Sequence, residues 1–309
     1  MQKIALISTV FNEAGNILPW ATSLRAQTRQ PDEFVIVDGG STDGTPERLR
    51  EAFGHGDFPA PRVIVEKCNI ARGRNLAIRD TTADIIAATD AGSFPGKEWL
   101  GEITRPLVEN PKLDVVGGCS KHLFQNDFQK FLEQFENPPA RPAGPADVYP
   151  SSRNVAFRRQ AWADVGGYPE WLTLTAEDAL FNFQLHKIGK QFHHNPAAIV
   201  EWPVRDTAPA YFKMHRSYGY GAAEAQLYTR NYLRNWAVTL FPPLLVLSRH
   251  RLRHLKFRYQ KNAAGAFGWL AGRMKGNPVP ENWRKIDGIL LSPEALAHLP
   301  GIPQTQIKS

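Results

Sequence analysis

The chain has 309 residues, 42% hydrophobic and 22% charged, an ordinary globular usage that excludes disorder and collagen-like repetition. Its net charge of +7 is uneven: residues 1–248 carry 26 Lys+Arg against 27 Asp+Glu, and residues 249–309 carry 11 against 3. Cys68 and Cys119 are the only cysteines, too few for a disulfide framework or a four-cysteine zinc site, so a reducing compartment is expected.

The opening stretch 3–9 reads as a strand and not a secretory signal, because its apolar core is short and Asn12-Glu13 follows at once. Near-continuous apolar, β-branched runs at 3–9, 33–38, 62–66, 84–90 and 113–118 predict buried strands. Helical patterns at 14–27, 44–53, 70–81 and 97–108 separate them. This alternation predicts an α/β fold with a mostly parallel central sheet flanked by helices. Ligands of such sheets bind outside the carboxyl ends of the strands, so the polar residues there come first: Thr9, Asn12-Glu13, Asp38, Asn69 and Asp90. The Pro- and Asn-rich stretch 126–149 predicts a separator. A strand at 154–157, a helix at 158–165 and a helical pattern within 175–189 follow it. The longest apolar run, 236–247, is broken by Pro242-Pro243 and falls short of the roughly 20 residues that a spanning helix needs.

Each motif has a plain structural reading. Asp38-Gly39-Gly40-Ser41-Thr42-Asp43-Gly44 lets backbone amides approach a ligand, yet any Asp-Gly pair also makes a turn, with Thr42 or Asp43 as helix cap. Asp90 alone is a strand-end turn residue, and Arg74 alone a solvated helix charge. Thr175-x-x-Asp178 has capping-box spacing, and the dipole favours Glu177 and Asp178 at a helix start without any chemistry. His193-His194 and His250/His254 lack carboxylate or cysteine partners at metal-site spacing. No Gly-x-Gly-x-x-Gly follows the first strand and no phosphate-loop lysine motif occurs, which argues against dinucleotide oxidoreductases and ATPases.

Taken in order, these segments, with Arg72-Gly73-Arg74-Asn75, Asp90-Ala91-Gly92, Gly166-Gly167-Tyr168 and Glu177-Asp178, resemble glycosyltransferase family 2 over about residues 3–190. The resemblance implies a GT-A fold and an inverting transfer from a nucleotide-diphosphate sugar to an acceptor hydroxyl, in polysaccharide, glycolipid or other cell-envelope glycan synthesis. It implies that Thr9, Asn12 and Glu13 meet the nucleotide and that Asp38, with Gly40 in its turn, meets the base. Arg74 and Asn75 form the family's arginine-asparagine element, with Arg74 on phosphate. Asp90 matches the first acid of the family's Asp-x-Asp motif, near ribose and a divalent cation (Mg²⁺ or Mn²⁺), but Gly92 replaces the second acid and thins that site. Asp178 matches the catalytic base beside Glu177, and Arg216 is a candidate to neutralise the leaving diphosphate. The rivals are a sugar nucleotidyltransferase, for whose early glycine-rich loop residues 8–16 supply only Gly15, and a nucleotide-sugar-binding scaffold, which Gly92 favours.

The implied organisation is a GT-A domain at 1–235, with a nucleotide-binding part at 1–125 and an acceptor part at 150–235, and an apolar and basic extension at 236–309. Residues 249–262 hold six Lys+Arg and no acid. They read equally as an element for anionic lipid or as a helix packed on the catalytic domain. No nucleic-acid module accompanies that charge. The expected setting is cytoplasmic, peripheral on the inner face of the cell membrane, with a saccharide or lipid-linked acceptor. Gly265, Gly268, Gly272 and Gly276 predict close packing against a neighbour the sequence does not name.

Overall fold

The computed structural model describes residues 2–54, 58–136, 149–243, 254–276 and 279–300. Its sheet contains β1 (Ile4–Val10), β2 (Glu33–Asp38), β3 (Arg62–Val65), β4 (Ile85–Ala88), β5 (Phe94–Pro95), β6 (Val115–Leu123), β7 (Val155–Arg158) and β8 (Phe192–Pro203), in the order β3-β2-β1-β4-β7-β6-β8-β5. β7 is antiparallel to β4 and β6, β5 is antiparallel to β8, and the remaining pairs are parallel.

Alternation within the strands feeds two cores. Ile4, Leu6, Phe34 and Ile36 face α1 (Ile17–Arg25), α2 (Thr45–Phe53) and α4 (Trp99–Glu109), where Trp20, Phe53 and Phe58 pack edge-on and tilted around Phe34. Ala5, Ile7, Val35 and Val37 face α3 (Ile70–Arg79), α6 (Arg159–Asp164) and α7 (Glu177–Lys187). Strands β1 to β3 step in one direction, and the chain then crosses by way of α3 to β4 on the other side of β1. That reversal opens a crevice at the carboxyl ends of β1 and β4, the place where such sheets take ligands.

Three expectations change. The strand expected to be buried at 62–66 is an edge strand, with Val63 and Val65 exposed. The separator at 126–149 contains a helix, α5 (Asp127–Glu136), with the aromatic face Phe128, Phe131 and Phe135, while 137–148 lies outside the described residues. Its polar punctuation hid that periodicity. The long β8, interrupted by Pro196 and by a register shift in its pairing with β6, gave no recognisable strand signal.

The C-terminal part continues with α8 (Ala208–Glu224), α9 (Thr229–Leu240), α10 (Leu255–Met274), the hairpin β9 (Arg284–Ile286) and β10 (Ile289–Leu291), and α11 (Pro293–Ala297). Gly268 and Gly272 of α10 find their neighbour in α8, and Gly265 meets the Tyr232 ring of α9. Gly276, past the helix end at φ +91°, has nothing within 4 Å and corrects the expected close packing there. A Cβ on Gly268 would stand 1.9 Å from the Arg216 carbonyl oxygen, and one on Gly219 2.1 Å from that of Gly265, so the two backbones touch. Within the basic run, Phe257 packs on Phe131 and Phe135, and the Lys261 ammonium donates to Glu136 at 2.7 Å. Arg249, Arg251 and Arg253, like residues 244–248 of the apolar run, lie outside the described residues. No described helix is long and apolar enough to cross a membrane. Gly268→Ala is expected to force α8 and α10 apart and cost about 1–3 kcal/mol, read as a lower midpoint in thermal or urea denaturation. An unchanged midpoint would contradict the backbone contact.

Candidate active site

The loops after β1 and β2 are stitched together by their own polar residues. Asn12 adopts a left-handed backbone (φ 55°); its N–H donates to Ser41 Oγ at 2.8 Å, and its Oδ1 accepts from the Thr42 N–H at 2.9 Å. The Glu13 N–H donates to Thr45 Oγ1 at 2.8 Å, and the Ala14 N–H to Asp43 Oδ2 at 3.0 Å. Asp38 is fully buried, and its Oδ1 accepts from the N–H groups of Gly40 and Ser41 at 2.8 and 2.7 Å. Its Oδ2 has no partner among the described residues, so a buried acceptor is held ready for a donor beside the turn.

These loops border a cleft of about 630 Å³ over the crevice between β1 and β4. Thr9, Glu13, Asp90, Gly92, Arg153, Trp202 and Arg205 line it, while Asp38 and Asp178 do not. Burial raises the Glu13 carboxyl above its ordinary range, and the nearby charge of Asp90 adds to the rise. Gly92 has φ +82°, a conformation an acid there would adopt only under strain. A Cβ at that position would stand 3.5 Å from Glu13 Oε2, so the Glu13 carboxylate already borders the space of the missing acid. Among the described residues no three His, Cys, Asp or Glu side chains cluster as a metal site.

Beneath the cleft lies Arg74, 3% exposed. One guanidinium nitrogen donates to Glu177 Oε1 at 2.6 Å and another to Asp90 Oδ1 at 3.0 Å, while its carbon sits 5.5 Å from the Tyr168 ring centroid. Burial alone would lower this guanidinium, but Asp90 and Glu177 outweigh it and hold it above the usual arginine range. Burial and then the charge of Asp178 push Glu177 upward, against the pull of Arg74. Arg74 thus joins the end of β4 to the start of α7. It is not a free charge at the cleft surface, where the phosphate contact was expected. Asn75 is also spent internally: its amide donates to Tyr168 O and Glu170 Oε1, and its Oδ1 accepts from Trp162 Nε1–H and the Tyr168 N–H. Its role is to fix the turn after α6, where a nucleotide contact was expected.

The capping reading of 175–178 fails on geometry. Ala176, at φ 77°, is the residue before α7, and Thr175 Oγ1 donates away to the Ser217 carbonyl at 2.9 Å. Glu177 faces Arg74, and Asp178 stands half-buried at the helix start. Arg216 is exposed in a separate groove between α8 and α10, beside Phe212 and Phe267, and does not line the cleft. The cationic side chains that do line it, Arg153 and Arg205, went unnoticed in the sequence. They flank β7 and β8 with no motif around them, and Arg153 is placed by stacking 4.0 Å over the Trp202 ring.

Arg74→Met would strand the buried Glu177 and deprive the partly exposed Asp90 of its partner. The expected cost is about 3–5 kcal/mol of unfolding free energy by urea titration, whereas loss of an exposed helix charge would cost under about 1 kcal/mol.

Comparison with known proteins agrees with this geometry. The family described as "Glycosyl transferase family 2" matches residues 5–167, and "Glycosyl transferase family group 2" matches residues 111–269. The glycosyltransferase AglE of Haloferax volcanii is 26% identical over 173 residues, 55% of this chain and 57% of AglE. The poly-beta-1,6-N-acetyl-D-glucosamine synthase of Staphylococcus aureus is 21% identical over 256 residues, 80% of this chain and 60% of the synthase. Each match thus spans under two thirds of these curated relatives. Among solved structures, a mannosyltransferase from Pyrobaculum calidifontis, in complex with GDP-Man and Mn²⁺, superposes with a TM-score of 0.64 at 18% identity, over 89% of this chain and 88% of its own. Residues 1–349 of S. aureus TarS, in complex with UDP, superpose at 0.51 with 17% identity, over 93% and 95%. With the family match spanning over half of its residues, the chain belongs to glycosyl transferase family 2, a family of glycosyltransferase enzymes, and carries the GT-A fold.

Proposed function

We propose that the chain transfers a sugar, with inversion, from a nucleotide-diphosphate donor to an acceptor hydroxyl. The observation that carries this reading is the buried Arg74 bridge, which ties the cleft carboxylate Asp90 to the helix start bearing Asp178. In this reading Thr9 and Glu13 meet the nucleotide in the cleft, while Asn12, Gly40 and the buried Asp38 shape the loops behind them, Asp38 Oδ2 being the acceptor left for the base. Asp178 accepts the acceptor's proton as its oxygen attacks the anomeric carbon opposite the diphosphate. Arg153 and Arg205 offer fixed donors for charge growing on the departing diphosphate, the part that the family resemblance implies for Arg74 and Arg216.

The donor set also fits a divalent cation. The second oxygen of Asp90 and the Glu13 carboxylate are hard oxygens on the same cleft, and diphosphate and water can complete the shell of Mg²⁺ or Mn²⁺. Such an ion would neutralise charge on the diphosphate. The complexes of the P. calidifontis mannosyltransferase with GDP-Man and of TarS with UDP support a nucleotide-sugar donor.

Asp178→Asn is expected to lower transfer or donor hydrolysis by about 10²–10⁴-fold while the nucleoside diphosphate still binds in calorimetry. Turnover within a few-fold of wild type would overturn the assignment. Stoichiometric nucleotide binding by the wild type with no product would indicate the scaffold reading, and release of pyrophosphate a nucleotidyltransferase.

The same reading sets the enzyme on the inner face of the cell membrane, in cell-envelope glycan synthesis with a lipid-linked or polysaccharide acceptor. Neither α9 nor α10 contains an acid. α9 has no buried residue, and Leu233, Leu240 and Phe241 stand exposed, as do Phe267, Leu270 and Met274 around α10. Basic helices with exposed apolar side chains suit an anionic lipid surface. Sedimentation with anionic vesicles is expected at low salt and should fall as salt rises. No binding, or equal binding to neutral vesicles, would contradict that placement.

A further inference from the structure

The segment that carries Arg205 is gripped by α5, a helix that itself lines no part of the cleft. The chain enters α5 through a reciprocal cap: Asn126 Oδ1 accepts from the Gln129 N–H at 2.9 Å, and Gln129 Oε1 accepts from the Asn126 N–H at 3.2 Å. Both side-chain amide nitrogens remain for the segment after β8. Gln129 Nε2 donates to the Val204 carbonyl at 2.7 Å, and Asn126 Nδ2 donates to that of Asp206 at 3.0 Å. These two carbonyls flank Arg205, so its backbone is anchored on both sides. Gln129 is 1% exposed, and a buried amide with its hydrogen bonds made fixes one geometry for the segment it holds.

Arg153 is fixed twice over. The buried Asn154 beside it donates to the Cys119 and Ala198 carbonyls at 3.0 and 3.1 Å and accepts from Trp99 Nε1–H at 2.8 Å, which locks the entry to β7 onto β6 and β8. The guanidinium itself stacks 4.0 Å over the Trp202 ring. Trp202 stands opposite His122 in the β6–β8 ladder, and the two rings meet edge-on at 5.4 Å. The His122 ring in turn pairs with Glu133 of α5. Among the described residues neither Arg153 nor Arg205 has a carboxylate within ion-pair distance, whereas Arg74 has two. Cations anchored in this way, with no acid to answer them, suit an anion that arrives from outside and finds its donors already placed.

We infer that Trp202 and Gln129 are positioning residues for recognition of the donor's diphosphate: Trp202 sets the Arg153 guanidinium, and Gln129 sets the backbone from which Arg205 reaches the cleft. This rests on the reading of Arg153 and Arg205 as the phosphate contacts, and it gives α5 a share in a site it does not touch. Fixing a guanidinium before the ligand arrives removes part of the ordering cost of binding. The gain falls on phosphate alone, so a nucleoside diphosphate benefits more than the monophosphate of the same base. Loss of the Trp202 ring would free the Arg153 side chain and erode that preference, while contacts to the base and ribose stay as they are.

Calorimetry on the full chain with UDP, UMP, GDP and GMP, at fixed salt and Mn²⁺, tests this through the ratio of diphosphate to monophosphate affinity. The wild type is expected to favour the diphosphate. Trp202→Leu should shrink that ratio by about tenfold, as Arg153→Met does, while Trp202→Phe, which keeps a ring under the guanidinium, stays within about threefold. Gln129→Met, which loses the bond to Val204, should shrink it in the same direction. Melting temperatures check folding, and should Gln129→Met fail to fold, the half-buried Trp202 carries the test by itself. A wild-type ratio in Trp202→Leu beside a reduced one in Arg153→Met overturns the positioning role. Equal loss of monophosphate and diphosphate affinity in Trp202→Leu also overturns it, since that is general damage to the cleft. Failure of the underlying reading looks different: Arg153→Met and Arg205→Met would both keep the wild-type ratio, and the inference would fall with it.

Discussion

A single buried guanidinium organises the site. Arg74 reaches Asp90 from α3 and, 103 residues further along the chain, Glu177, at 3.0 and 2.6 Å. A cation at 3% exposure is tolerable only when its charge and hydrogen bonds are met, and these two carboxylates meet them over the face of Tyr168. The constraint runs both ways. Asp90 can present only its remaining oxygen to the cleft, and α7 can start only where Glu177 reaches Arg74, which fixes Asp178 one residue later. Burial pushes the Tyr168 phenol up to about 12, so it stays neutral beside the pair. The carboxyl end of β4 and the start of α7 are in this way held in one register by a group that itself lines no part of the cleft.

The charges left at the cleft follow from that arrangement. Since Arg74 is consumed below, positive charge at the cleft wall comes from Arg153 and Arg205, on segments flanking β7 and β8. Negative charge comes from Asp90 and Glu13, with Gly92 in a backbone conformation that leaves room for the Glu13 carboxylate beside it. Carboxylates and guanidiniums thus share one cleft, a donor set in which hard oxygens suit a divalent cation and guanidiniums suit phosphate oxygens.

Much of this was legible in the sequence where local rules decide. The run 33–38 becomes β2 with the same bounds, and Asp38 stands at its carboxyl end with the glycine turn folded onto its Oδ1. The motif order pointed to the family and fold. What stayed hidden depends on long-range packing. Helical spacing cannot show that Arg74 turns inward to two acids or that Asn75 braces Tyr168, and Thr175 looks like a cap until α8 supplies the Ser217 carbonyl. The glycine stripe of α10 announced a close neighbour, and only the tertiary structure names α8.

The central claim is that one carboxylate, Asp178, deprotonates the acceptor for a single displacement, and the stereochemistry of the first product tests it most directly. Proton NMR of donor hydrolysis, recorded before mutarotation, requires no knowledge of the natural acceptor. The account predicts a free sugar of anomeric configuration opposite to the donor's, because water attacks once from the Asp178 side. A first-formed sugar that keeps the donor's configuration would mean two displacements through a covalent intermediate, and would contradict the role of Asp178 as the base of a single displacement.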